Sequence, residues 1–390
     1  MEEKKEMSLA QARDRIDQID RKLVSLFRER MDVMADVAAV KKKEGKPVLD
    51  LQREREKLLS VDEMAGPIYG SYARTLYSTV MSLARANQHR LLDGDGQTKK
   101  AFEAAVASTD SMFPERATVA CQGVEGAFSQ HAADKLFALP QITYYSNFSD
   151  VFNAVANGTC RYGVLPLENS TSGSVEAVFE QMTRQTNGPF YIVRSVRLKV
   201  DHNLMGIPGS SLDHVRLILS HEQALSQCGA YLRNKFPGVE LRACTNTAEA
   251  ARIVAAEKDP GVLALASSDS ASQYGLKILE ADVQDNANNY TRFICISRKL
   301  EVYPGSGKTS IVLVAEHRPG SLSRVLARFE ALQINLTKLE SRPVPGHDFE
   351  FMFYFDLDCP MYAPRLTQLF NELEQDQQVF RYLGTYTEIL

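Results

Sequence analysis

The chain has 390 residues, a formal net charge of -4, 44% hydrophobic and 24% charged residues. One ordinary domain holds about 100 to 200 residues, so two or three modules are expected. The slight acidity argues against a nucleic-acid binder, and no apolar run approaches the about 20 residues needed to cross a bilayer.

Met1 to Met7 is charged with no apolar stretch behind it, which does not read as a secretory signal. Six cysteines (Cys121, Cys160, Cys228, Cys244, Cys295, Cys359) form no CxxC pair. That spacing argues against zinc, dithiol chemistry and a disulfide framework, and a reducing, cytoplasmic compartment is expected.

Ser8 to Gln11 fits a capping box, and the apolar pattern behind it runs to Val40 before Gly45 and Pro47 stop it. One very long helix is predicted, roughly 50 Å at about 1.5 Å per residue, which points to packing against another chain. Asp50 to Ala65 and Ile68 to Gln88 read as two further helices punctuated by Gly66 and Pro67. From Asp93 to Glu115 the composition turns to Asp, Gly, Gln, Lys and Ala, a linker with room for a short helix.

From Thr118 the period changes. Short β-rich runs (Thr118 to Cys121, Tyr162 to Leu165, Val262 to Ala266, Phe293 to Ser297) alternate with helical stretches such as Val151 to Asn157, an α/β module long enough for two lobes with a cleft. After Thr309 the order is strand (Ser310 to Ala315), helix (Leu322 to Leu332), strands (Asn335 to Arg342, Phe349 to Asp356), helix (Pro364 to Leu373), strand: a ferredoxin-like βαββαβ pattern, α+β in class. The boundaries expected are 1–92 all-helical, 93–115 linker, 116–300 two-lobed α/β, and 301–390 ferredoxin-like.

The seam of the long helix is Leu9, Ala12, Ile16, Ile19, Leu23, Leu26, Val33, Val37 and Val40, interrupted by Arg30. Taken alone, Arg30 reads equally well as a register-setting polar residue. Lys41, however, lies about 20° around the helix and about 16 Å along it, so two long side chains can close on a small anion. Arg13 sits about 25 Å from Arg30 along the same rod and reaches such a pocket only from a second chain. Asp50, Arg53, Glu54 and Gln88 add acceptors, another cation and an amide, a set suited to a dianion carrying a hydroxyl or ether.

Arg13, Arg30, Lys41, the Pro47-Val48-Leu49-Asp50 stretch, Arg53-Glu54 and Gln88 resemble the all-helical chorismate mutase pattern over residues 8 to 90. The resemblance implies an intertwined homodimer, or a larger homo-oligomer, in which chorismate rearranges to prephenate by an intramolecular pericyclic shift. By that analogy Arg13 of the other chain and Arg30 hold carboxylates, Lys41 and Gln88 donate to the ether oxygen, and Asp50, Arg53 and Glu54 orient the ring and hydroxyl. The family often has Ser where this chain has Ala84, one turn before Gln88, so one secondary contact of that substrate site is missing.

In the α/β module the strand Thr118 to Cys121 runs into Gly123-Val124-Glu125-Gly126-Ala127-Phe128-Ser129, a turn that offers backbone amides to an anion but is also ordinary punctuation. Leu165 to Ser174 packs Glu168, Asn169, Ser170 and further hydroxyls into one connection; helix capping by Ser172 or Ser174 leaves Glu168 and Asn169 unexplained. Ser220-His221-Glu222-Gln223 with Gln227, and Asn289-Tyr290-Thr291-Arg292-Phe293, complete the set. His221 alone reads as structural.

In this order the segments resemble prephenate dehydratase over residues 116 to 300, Thr-Arg-Phe being the most telling tripeptide. The reaction implied removes carbon dioxide and the ring hydroxyl from prephenate to leave phenylpyruvate. Thr291 is the first choice as donor to the leaving hydroxyl. Glu168 supplies the proton only where burial favours its protonated form, and otherwise orients other donors. Asn169, Ser170, Ser220 and Gln227 are carried over as positioning groups, and Arg292 either binds a carboxylate or supports its strand.

Pro319-Gly320-Ser321-Leu322 and Glu340-Ser341-Arg342-Pro343 resemble the two motifs by which ACT regulatory domains of these dehydratases bind phenylalanine; alone, they would only start a helix and end a strand. The three resemblances together imply a bifunctional enzyme of phenylalanine biosynthesis, with feedback inhibition by L-phenylalanine, no cofactor and no metal. Gly305-Ser306-Gly307-Lys308-Thr309 lacks the glycine a phosphate loop needs, position 302 being Val, and leads into a strand. A mutase fused to a dehydrogenase would need a GxGxxG turn, which is not found. A dehydratase with an impaired mutase and a noncatalytic amino-acid sensor are the competing readings.

Overall fold

The structure is a computed structural model that describes residues 7–92, 96–183, 189–315, 317–344, 351–376 and 379–390. The expected start of a strand at Phe349 and the Asp93 end of the linker lie outside these. The chain divides into two compact units, each taken by itself: residues 1–100, 314–333 and 364–380, and residues 101–313, 334–363 and 381–390.

The first unit is built on helices α1 (Leu9–Glu44) and α2 (Leu51–Leu92). Ser8 and Gln11 form a reciprocal capping box, and Gly45 ends α1 with φ 65°, a left-handed conformation that glycine adopts without strain. At about 1.5 Å per residue α1 is a rod of about 54 Å. The break expected at Gly66 and Pro67 is present: α2 is two helical segments that meet at a kink, with Gly66 in a non-helical conformation (φ 72°) and Pro67 lacking the amide that would continue the ladder. Of α1 only Ala38 is buried, while Leu9, Ile16, Ile19, Leu23, Leu26, Val33 and Val40 are 47% to 68% exposed. The segment expected as linker carries α3 (Gln97–Ser108), whose first amides at Gly96 and Thr98 donate to side chains of Asn371 and Glu374.

The second unit opens with β1 (Arg116–Gln122), α4 (Phe128–Leu136), β2 (Leu139–Tyr145), α5 (Phe148–Ala156), β3 (Tyr162–Asn169), β4 (Gly173–Ser174), α6 (Glu176–Thr183) and β5 (Tyr191–Lys199). A second lobe follows: β6 (Asn203–Gly206), β7 (Leu217–His221), α7 (Glu222–Gln227), α8 (Gly229–Lys235), β8 (Glu240–Cys244), α9 (Thr247–Glu257), β9 (Val262–Ala266), α10 (Ser268–Tyr274) and β10 (Lys277–Glu280). The chain returns through β11 (Tyr290–Ser297), then adds β12 (Lys308–Val314), α11 (Ser321–Ala331), β13 (Asn335–Pro343), β14 (Phe351–Asp358), α12 (Pro364–Asp376) and β15 (Val379–Ile389). Helices α11 and α12 belong to the first unit, where buried Arg328 of α11 donates to Ser82 of α2 at 3.0 Å.

The second lobe is a five-stranded sheet ordered β10-β6-β9-β7-β8. The other sheet is ten-stranded and runs β13-β14-β12-β15-β5-β11-β3-β1-β2, with β4 on β3. One sheet therefore spans the dehydratase-like strands and the βαββαβ strands, joined where β15 pairs in parallel with β5 (Thr387 to Arg194). Phe152, Leu165 and Phe179 share a core with Val312, Tyr354, Leu383 and Tyr386. In β13 exposure alternates, so Lys338, Glu340 and Arg342 share the more covered face.

Candidate active sites

In the first unit Gln88 closes onto α1. Its amide nitrogen lies 3.1 Å from the Met34 sulfur, one turn from Arg30. The Gln88 side-chain oxygen and one Arg30 guanidinium nitrogen are buried without a hydrogen-bond partner. Buried polar atoms are normally paired, so two such orphans, one on α1 and one on the α2 residue that touches Met34 a turn further along α1, suit a polar ligand. Lys41 donates to the Val48 carbonyl at 2.5 Å, which fixes the Pro47 to Asp50 turn beside it. Asp50 caps α2 by accepting from the Arg53 amide at 3.0 Å. The Arg53 guanidinium lies 3.6 Å from exposed Glu56.

Glu54 is ion-paired to Arg85, a residue the sequence reading did not select, and Ala84 next to it is buried. Arg13 is exposed, about 25 Å up the same rod from Arg30. The chain thus brings Arg30, Lys41 and Gln88 onto one stretch of the helical unit and leaves Arg13 apart. A cavity of about 370 Å³ in this unit is lined by Glu54 and Arg85 together with Arg318, Pro319, Ser321 and Arg324. Gly320 heads α11 with φ 81°, and Ser321 accepts from Arg324 at 2.8 Å.

In the second unit Thr291 on β11 stands opposite Asn169 on β3, and Arg292 stands opposite Glu168. Successive strand residues point to opposite faces, so this register builds two different sites back to back. On one face the Asn169 amide donates to Thr291 Oγ1 at 2.9 Å and to Asn289 Oδ1 at 2.7 Å. Asn289 donates to Gln227 Oε1 at 3.0 Å, and Gln227 donates to Ser172 Oγ at 3.0 Å. His202 Nε2 lies 2.8 Å from the same Gln227 oxygen, which assigns its proton to Nε2. Burial lowers the His202 pKa below the ordinary histidine value, with Gln227 offsetting part of that.

Ser170 stands beside this cluster, its hydroxyl bridging the Asn288 carbonyl and the Tyr290 amide at 2.8 and 2.9 Å. Ser220 does not join the cluster: its buried hydroxyl donates to the Leu265 carbonyl at 2.6 Å. His221 caps α7 by accepting from the Gln223 amide, as a structural residue would. In the glycine turn Gly126 (φ 86°) accepts from Ser270, and His131 Nε2 lies 3.1 Å from its carbonyl, so the turn is occupied by its own protein partners.

On the opposite face Arg292 is 3% exposed and surrounded by carboxylates: Glu168 at 2.7 Å, Asp356 at 2.5 Å and Glu388 at 3.8 Å. Burial alone would lower its pKa; Asp356, buried Tyr386 and Tyr354, and Glu168 outweigh that and hold it above the usual arginine range. Asp356 also accepts from Ser310 and Tyr354, both at 2.5 Å. Glu168 pairs with Lys338 as well. In the Glu340 to Pro343 segment, expected as an effector motif, Glu340 accepts from Ser174 at 2.9 Å, and Arg342 pairs with Glu340 and Glu176 at 2.9 and 3.1 Å. Exposed Ser341 and Pro343 lie on the other face of β13.

Three family models match in series: Chorismate mutase type II at residues 12–89, Prephenate dehydratase at 119–301 and ACT domain at 309–375. The bifunctional chorismate mutase/prephenate dehydratase of Pseudomonas aeruginosa is 31% identical over 95% of this chain and 95% of its own length. The chain belongs to the bifunctional chorismate mutase/prephenate dehydratase family.

Among solved structures, the prephenate dehydratase of Arthrobacter aurescens in complex with L-Phe aligns at 27% identity and TM-score 0.63, over 69% of this chain and 89% of that one. GqqA, described as a novel type of quorum quenching acylase, aligns at 29% identity and TM-score 0.62, over 69% of this chain and 97% of that one. A shared fold therefore does not fix the chemistry, and the assignment rests on the side chains.

Residues that sequence reasoning did not place in the dehydratase module's sites are Ser172, His202, Asn289, Lys338 and Asp356. Asn289 and Ser172 lay inside quoted motifs without an assigned role. Asp356 carries a signal: an acid in the middle of Phe351–Asp358, a strand rich in aromatics, needs a buried partner.

Proposed function

We propose that this chain converts chorismate to prephenate in its helical module and prephenate to phenylpyruvate in its α/β module, in the cytoplasm, with L-phenylalanine as feedback inhibitor through the ACT module. The modules are taken as residues 1–92, 116–300 and 301–390, joined by 93–115. The observation that carries the dehydratase assignment is the Asn169 to Thr291 hydrogen bond. The amide occupies the threonine oxygen as donor, so the hydroxyl proton is left for an acceptor in the cleft.

Prephenate dianion takes up one proton and yields phenylpyruvate, carbon dioxide and water. The ring carboxylate leaves as carbon dioxide, its electron pair aromatises the ring, and the ring C–O bond breaks to release water. Thr291 donates to that departing oxygen, while Asn169, Asn289 and Gln227 hold Thr291 and each other in place, a preorganised set that does not rearrange as charge develops. Glu168, held by Arg292 and Lys338, suits an orienting carboxylate, and Arg292, enclosed by three carboxylates, supports its strand.

For the mutase step no nucleophile is needed. Arg30 and the partner protomer's Arg13 bind the carboxylates, Lys41 and Gln88 donate to the ether oxygen as the C–O bond breaks, and Asp50, Arg53 and Glu54 frame the ring. The unpartnered Arg30 and Gln88 atoms support this reading. The exposed apolar seam of α1 supports a homodimer in which a second copy covers it, because a single chain leaves seven large apolar residues in water.

The test is phenylpyruvate formation by the purified chain from chorismate and, separately, from prephenate, each with and without L-phenylalanine. Product from both substrates, suppressed by phenylalanine, is expected. Turnover of prephenate alone would remove the mutase role, and turnover of neither would overturn the proposal.

A further inference from the structure

Glu168 and Ser174 are the base of a short hairpin, paired across β3 and β4, with Asn169 opposite Gly173. Its tip carries two members of the dehydratase cluster, Asn169 and Ser172. Both sides of that base are held by one side chain from the ACT module. Lys338 of β13 donates to Glu168 at 2.5 Å and to Ser174 Oγ at 3.1 Å, and its ammonium lies 3.9 Å from Glu340.

The surroundings make this clamp rigid. Lys338 is opposite Asp356 in the β13–β14 register, Arg292 is opposite Glu168 in the β11–β3 register, and Asp356 binds Arg292. Charges thus alternate from Lys338 through Glu168 and Arg292 to Asp356, with Phe179 stacked beneath Lys338 at 5.8 Å. Charge-assisted bonds in a half-dry site are stronger than exposed ones, and they lock rotamers that would otherwise move.

Resting on the dehydratase and phenylalanine-feedback reading above, we infer that Lys338 is a positioning residue for the dehydratase reaction and the point through which the neighbouring effector motif acts on it. Glu340 and Arg342 are engaged with Ser174, Lys338 and Glu176. An amino acid, offering an ammonium and a carboxylate, competes for those two side chains. Whatever draws Glu340 off Ser174 alters the hairpin base that Lys338 grips, which gives the effector differential contacts in the two states.

The experiment uses the full chain with Lys338→Met, Lys338→Gln and Lys338→Arg, each also combined with Glu168→Gln. Kinetics are judged on every variant whose thermal unfolding matches that of the unmodified chain, which reports folding of this unit as well as of the helical one. Expected are a fall of about tenfold in kcat for prephenate with KM within about twofold, recovery by Lys338→Arg, and little further loss in the Glu168→Gln background, since coupled residues are not additive. The phenylalanine concentration for half inhibition should rise at least about fivefold in Lys338→Met and Lys338→Gln. Unchanged kcat in those two variants, or losses that add fully to that of Glu168→Gln, would overturn the inference. Absence of prephenate turnover in the unmodified chain would instead defeat the underlying reading of function.

Discussion

Asn169 and Thr291 face each other across β3 and β11, the amide nitrogen 2.9 Å from the threonine hydroxyl oxygen. With that oxygen already engaged as acceptor, the hydroxyl proton is left to donate elsewhere, and on the proposed mechanism it donates to the leaving group. Thr291→Val should lower kcat for prephenate by about 10² to 10³, the cost of one preorganised donor, and Thr291→Ser should keep most of the activity. Steady-state assays on prephenate check this, with chorismate consumption as the control that stays unchanged.

In the helical module Gln88 and Arg30 hold unpaired buried polar atoms, and Gln88 touches Met34 one turn along α1 from Arg30. On the proposed mechanism Gln88→Leu removes the donor to the ether oxygen and leaves a shorter apolar side chain. Chorismate turnover is expected to drop by about 10² or more while prephenate turnover persists, and the ratio of the two assays is the readout.

Arg13 lies too far along α1 to join Arg30 and Lys41 of its own chain. Mixing Arg13→Ala with Lys41→Ala chains under exchange conditions should therefore regenerate mutase activity, since each mixed dimer rebuilds one intact site. Recovery to about one quarter of the unmodified rate is the statistical expectation for a symmetric dimer. Activity that stays at the level of either parent would show that the site draws on one chain.

His202 is buried against Gln227, and burial holds its pKa below 6.5. As pH falls, the unfolded chain takes up this proton first, so the stability associated with neutral His202 is fully present above about pH 6.5 and is lost as pH drops toward the folded value. Thermal unfolding at about pH 7.5 and about pH 5.5 should show a smaller acid-induced fall in Tm for His202→Asn than for the unmodified chain.

How much of this was legible depended on whether partners share a strand or a turn. The capping box at Ser8 and Gln11, the Gly45 stop and the βαββαβ order are local and could be read directly. Thr291 and Asn169 were selected because each sits in a dense polar motif, and the strands bring them into hydrogen-bond contact. Ser220 belonged to a similar motif, yet its hydroxyl satisfies the Leu265 carbonyl, a backbone need that only the packed sheet reveals. His202 and Lys338 carry no local signal, since each meets its partner only after strands far apart in sequence close on one another. Arg85 was hidden on a helix, where an arginine is ordinarily solvated and nothing announces Glu54 across the gap.

Gly384 in β15 has φ 144°, and a Cβ built there would lie 2.1 Å from the Ile192 carbonyl oxygen of β5. Gly384→Ala should separate these strands and cost about 1 to 3 kcal/mol, as overpacking in a close-packed sheet does. A lowered Tm with lowered dehydratase activity, and a mutase rate that survives at temperatures below the transition, would be the signature.

The seam between β5 and β15 also imposes an order of synthesis. Arg194 leaves the ribosome well before its partner Thr387, and at about 5 to 20 residues per second the wait for about two hundred more residues is some tens of seconds. Throughout that interval the edge of β5 stays open to any other strand, including one from a neighbouring nascent chain. A messenger truncated anywhere in its last coding segment would therefore yield a sticky catalytic domain and not merely a deregulated one. Gene fusions at the amino terminus escape this constraint, which makes that end the safer place to attach or remove a domain.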